Sequence, residues 1–273
     1  MANLLAELVD ALGETEQRLD VDVEGDEVSI RAVLEDHPTG VFRIMCALLL
    51  RKARLHTIAI LRANESNNVH SLAVQMRPVL ECAGQVVHFF HNLMIEPEYG
   101  ERAFHSYINA DYYRTVIRLS KGKVSHEQAL TQMMEASGMS KGEIGKGSGL
   151  KQSDKVARLE GGKIWYDYMS EYFCHGKGEW RGHSWQGGVN SMNTVQDEYT
   201  FAGLMDYLIN QVAVMNAYAE LCPMSGEVAQ GRVESALAQL QEVRAVTTEL
   251  RDRARLAVGN QMWDSRNEQP RTG

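Results

Sequence analysis

Apolar residues recur three and four positions apart over most of the chain, the spacing that lines one face of an α-helix. Read this way, the sequence predicts helices at about 2–19, 39–63, 68–93, 97–121, 125–137, 152–175, 196–221 and 227–258. Only five prolines interrupt the pattern. Between the first two helices the acidic stretch DVDVEGDEVSIRAVLEDHPTG leaves room for a short strand near residues 28–33, ended by Pro38 and Gly40. The Gly-, Ser- and Lys-rich run at about 138–152 reads as a flexible loop, and the polar residues 259–273 as a disordered tail. Short links between helices make a single all-α, mostly antiparallel bundle over residues 1–258 the economical fold, with a long C-terminal helix.

That last helix carries a heptad trace: Val233, Ala236, Leu240, Val243, Thr247, Leu250, Ala254 and Ala257 follow alternating three- and four-residue steps. Such a stripe either packs back on its own bundle or makes a homodimer seam through 233–257. Thr247 and three alanines make a weak seam for a free-standing zipper, which favours the first reading.

Composition narrows the picture. With 44% hydrophobic and 23% charged residues in 273 positions, the chain can bury a large core. A net charge of −8 disfavours a surface that coats nucleic acid, although a local basic groove stays open as a nucleic-acid contact. The four cysteines, Cys46, Cys82, Cys174 and Cys222, are scattered without a C-x-x-C pair, which fits a reducing cytoplasm better than a disulfide framework. The opening MANLLAELVDALGE lacks a basic n-region, and the most apolar run, 41–50, is far shorter than the roughly 20 residues needed to span a bilayer. A cytoplasmic protein with no membrane partner is expected.

The segment VHSLAVQMRPVLECAGQVVHFFHN holds the most chemistry. On a helical wheel, Leu72, Met76, Val79, Leu80, Ala83, Val86, Val87, Phe90 and Leu93 form one broad apolar face. His70, Arg77, Glu81 and His88 fall within about 40° of one another on a separate stripe. Gly84 lies among them and leaves room for a ligand or another helix, Pro78 removes a backbone donor, and Arg77 and Glu81 have the i,i+4 spacing of an ion pair. The next predicted helix adds His105, Asn109, Tyr112 and Tyr113, which would reach the stripe from an antiparallel neighbour. A polar pocket built from Arg77, Glu81, His88, Tyr112 and His175 is the expected binding site.

His175 belongs to SEYFCHGKGEWRGHSW, residues 170–185, the densest patch of reactive side chains. Glu171 can bond His175 one turn on, Gly176 is a natural helix stop, and a histidine in the last turn suits the helix dipole. Cys174 and His175 are adjacent and point about 100° apart on a helix, so with His183 they do not converge on a metal. No metal ligands and no cofactor are assigned. Nothing marks Cys174 as an acidified nucleophile. The loop with Trp180, Arg181, His183 and Trp185 could stack a base or sugar, or simply tuck onto the bundle.

The Arg77-x-x-x-Glu81 helix and the helix end Ser170-x-x-x-x-His175-Gly176 together resemble a group of bacterial all-α proteins with R-x-x-x-E and L-S-x-x-x-H-type helices, similar to the HEPN and abortive-infection helical proteins. Here Met169 stands where the leucine is usual, and the resemblance spans about residues 40–180. It implies an alternative function, a hydrolase acting on RNA or a nucleotide, with Arg51 and His56 as its arginine followed four to six positions later by a histidine. Arg31 to His37 falls within the same range, and two such matches are what chance supplies. Lys52 replaces the small polar residue usual after the arginine. No phosphate-binding loop, nucleophile elbow or dinucleotide fingerprint occurs. The leading expectation is a helical protein that binds a small ligand or partner.

Overall fold

The computed structural model describes residues 1–19, 38–63, 69–95, 122–142, 152–174, 192–221, 238, 240–250, 252, 253 and 256. The expected strand near 28–33, the helix at 97–121 with Tyr112, the residue His175 and the tail 259–273 lie outside the described residues. Among the described residues every regular element is helical and no strand occurs, so the fold is all-α.

The helices are α1 (Ala2–Leu19), α2 (Pro38–Ala63), α3 (Val69–Ile95), α4 (His126–Ser137), α5 (Gln152–Val156), α6 (Gly162–Met169) and α7 (Met192–Glu220), with a π-helical turn at Ser170–Cys174 after α6. Residues 240–250 form a further helical segment. In α1, Leu5, Leu8, Val9, Leu12 and Leu19 turn one stripe inward, and α1 packs on α2 and α7. Phe42, Cys46 and Leu50 of α2 repeat every fourth residue to meet it. Each fully buried side chain of this size contributes about 1.5–3 kcal/mol.

α3 is the axis of the molecule. It contacts α2 and α7, and also α5, α6 and the π turn. Every residue from Cys82 to Phe89 is buried, so this part of the helix has no solvent face. The closest approach is at Gly84, where an added Cβ would stand 2.8 Å from the Lys155 carbonyl oxygen. Glycine alone permits the backbone of α5 to seat there. The space expected beside Gly84 is taken by a helix of the same chain.

One boundary reading is corrected. The helix predicted across 152–175 is broken into α5, a turn, α6 and the π turn. Gly161 adopts φ 68°, the left-handed region that side chains disfavour, and Gly162 donates its N–H to the Leu159 carbonyl at 2.9 Å. The glycine pair lets the chain reverse where periodicity alone would continue the helix. α4 matches its predicted span: Ser125 and Gln128 form a reciprocal capping box, and Gly138 closes the C-terminus. It buries Met133 with Leu130, Met134 and Met139 in a cluster separate from the main core.

The described part of the heptad stripe, at Leu240, Val243 and Thr247, packs on its own chain. Val243 and Thr247 are buried, and the Thr247 hydroxyl accepts from Asn210 Nδ2 of α7 at 3.0 Å. No helix among the described residues is long and apolar enough to cross a membrane.

Candidate functional site

Two polar regions meet at α6, one on each of its faces. On the side toward α3, the hydroxyl of Tyr166 lies between the two stripe residues. Arg77 Nη2 donates to it at 2.8 Å, and it donates to Glu81 Oε1 at 2.7 Å. The Arg77 guanidinium also sits 4.6 Å from the centre of the Tyr166 ring, a cation–π distance. Arg77 and Glu81 are thus joined through a phenol from another helix, where their spacing alone suggests a direct pair. Burial, aided by the hydrogen bond to Glu81, holds the Tyr166 proton more tightly than usual, with Arg77 acting in the opposite sense. The phenol therefore stays neutral and works as a fixed donor and acceptor, a strut between α3 and α6.

The rest of the stripe goes elsewhere. His70 meets the edge of Phe173, with ring centres 5.2 Å apart. His88 is buried two turns beyond Glu81 and faces Lys155 and Arg158; burial first, then these cations and His91, pull its pKa down to about 4. It is a neutral imidazole at pH 7. Cys82, between the two regions of the helix, is buried and its thiol is pushed up to about 12, so it is no nucleophile. The alternative pair also separates: Arg51 Nε bonds Glu16 of α1, whereas His56 Nδ1 lies 2.7 Å from Gln75 Oε1 of α3. Among the described residues no group of three or more His, Cys, Asp or Glu could hold a metal ion.

The π turn at Ser170–Cys174 carries the first residues of the densest reactive patch. Its wider winding swings Phe173 inward, where it is buried against His70 and Tyr168. The remainder of that patch lies outside the described residues.

On the other side of α6 is a cavity of about 700 Å³, bounded by α6, α7 and the segment 240–250. Its wall is aromatic. Trp165 stacks on Tyr207 at 5.4 Å with 26° between the planes, and Tyr168 meets Trp165 edge-on at 6.0 Å. The Tyr207 hydroxyl donates to the Glu160 carbonyl at 3.0 Å, which ties α7 to the turn before α6. Arg244 pairs with Glu160 at 3.0 Å across the rim. Polar groups reach in from α7: Asn210 bonds Asp206 and Thr247, and Gln211 lies beside it, 5% exposed. The bare backbone of Gly203 leaves the space beside the Trp165 ring open.

None of Arg77, Glu81, His88, Arg51 or His56 lines this cavity. The sequence carried a signal for it nonetheless. Asp206, Asn210 and Gln211 interrupt an otherwise apolar run at 204–215, and Trp165 opens an aromatic run on α6. What the sequence did not show is that 240–250 would close over them. Compared with known proteins, the chain matches no family model, no curated protein and no solved structure.

Proposed function

We propose that the chain is a small-ligand-binding protein whose site is the cavity between α6, α7 and the segment 240–250. One observation carries the reading: a concavity of about 700 Å³ that joins an aromatic wall to a few inward polar groups. That size and that lining are what drug-sized ligand sites share. The Arg77–Tyr166–Glu81 strut then has a supporting role. It fixes α6 from behind, so that Trp165 and Tyr168 are presented in one orientation. The stripe that would serve a homodimer through 233–257 is spent, at Val243 and Thr247, on covering α7. The HEPN-like alternative finds Arg51 and His56 engaged with different helices.

A fragment screen by thermal shift tests this reading. A ligand at about 100 times its Kd stabilises by about 2.7 kcal/mol, a shift of several degrees for a chain of this size. Hits should stabilise the wild type and lose their effect in Gly203→Leu, which fills the space beside Trp165. Hits that ignore the substitution, or a screen without hits, would sink the proposal.

A further inference from the structure

We propose that the cavity takes a flat, uncharged heterocycle carrying a hydrogen-bond donor next to an acceptor, read by the side-chain amide of Gln211; this rests on the cavity being the ligand site. Gln211 is 5% exposed, and its amide makes no hydrogen bond among the described residues. It is not stranded in a packed core, since it lines the cavity. The polar neighbours differ. Asn210 spends its N–H groups on Asp206 and Thr247, Thr247 donates to the Arg244 carbonyl, and the Tyr207 hydroxyl is bonded to the Glu160 carbonyl. Those contacts build the wall, and Gln211 is left for what enters it. A ligand that fills the cavity takes water away from this amide, which is costly unless the ligand bonds it in return, so a ligand that completes it is recognised over one that does not.

The shape of the amide sets the chemistry. A carboxamide offers donor and acceptor side by side in one plane, which complements an edge bearing an acceptor beside an N–H. This is how glutamine reads the N6/N7 edge of adenine in a nucleic-acid groove. The ligand body is flat because the open space lies beside Trp165, where Gly203 has no side chain. It is uncharged because the charges on the wall are engaged within the protein: Glu160 pairs with Arg244, and Asp206 accepts from Asn210.

Adenine and purine are the probes, the same ring with and without the amino group, titrated calorimetrically into the full chain. Wild type should bind adenine at least about tenfold more tightly than purine. Gln211→Leu should bring adenine to the level of purine and leave purine unchanged, and Gly203→Leu should lose both. Gln211→Glu, which keeps the size and removes the donors, reads the same preference if the leucine variant does not fold. Equal binding of the two rings to wild type, or a preference that survives both Gln211 substitutions, overturns the amide assignment. In that case the cavity reading stands if Gly203→Leu still abolishes binding. If neither ring binds, the flat-ligand proposal falls, and the fragment screen decides the cavity independently.

Discussion

The Tyr166 hydroxyl stands between a guanidinium and a carboxylate, and its removal affects both. Tyr166→Phe keeps the ring under Arg77 but leaves Arg77 and Glu81 without their bridge. Hydrogen bonds to charged groups are worth about 1.5–3 kcal/mol each when buried, and solvent replaces part of that at a half-buried seam. A loss of about 1–2 kcal/mol in a urea melt is expected, and a variant as stable as wild type would show that the strut is ornamental. His88 gives a pH dependence instead. Its folded pKa, about 4, lies below the ordinary 6.5, so the unfolded chain takes up this proton first as pH falls. The stability from the neutral imidazole is complete above about pH 6.5 and drains away between there and pH 4. Between pH 7 and 4.5 wild type should lose about 1–2 kcal/mol more than His88→Gln, after allowance for solvent at the ring. Parallel pH profiles for the two proteins would contradict this.

At the scale of elements, Gly84 decides how α5 and α3 meet. In an exposed helix Gly→Ala gains about 1 kcal/mol from propensity. At Gly84 the new methyl would lie 2.8 Å from the Lys155 carbonyl oxygen, a backbone atom that no side-chain rotation can move. Overpacking of this kind costs about 1–3 kcal/mol, so Gly84→Ala should be net destabilising. The loosening should be local, seen as faster amide exchange across 152–174 than across α1 and α2. The same region shows why periodicity misread the element. Apolar spacing runs on through 152–175, yet Gly161 at φ 68° turns the chain and the π turn re-aims Phe173. Backbone geometry overrode a continuous side-chain pattern.

For the whole molecule, the cavity exists because a distant segment closes it. Thr247 is 37 positions from Asn210 in sequence and 3.0 Å from it in space. A chain ending at residue 237 should keep the helical core of α1, α2, α3 and α7, since those helices bury one another. It should lose the third wall of the cavity, together with the cover that Val243 and Thr247 give to α7. Circular dichroism should stay helical while ligand-induced thermal shifts disappear. Ligand binding by the truncated chain at wild-type affinity would place the site elsewhere.

The helices and their inner faces follow from the order of apolar and polar residues alone. The repeat of apolar residues at three and four positions is enough to bury Leu5, Leu8 and Leu12 of α1 and Leu72, Met76 and Leu80 of α3, because the helix pitch maps spacing directly onto direction. That order also made Arg77 and Glu81 visible as a pair on one stripe. What that stripe faces is set by contacts across the fold. Tyr166 and Lys155 come to α3 from a segment more than 70 positions away, and no local spacing encodes such a contact. The cavity is the clearest case. Trp165, Tyr207, Gln211 and Thr247 read as core aromatics and stray polar residues until three separate helices bring them together. A concave site is a property of surfaces that meet across the fold, and those meetings are fixed by packing, not by neighbours along the chain.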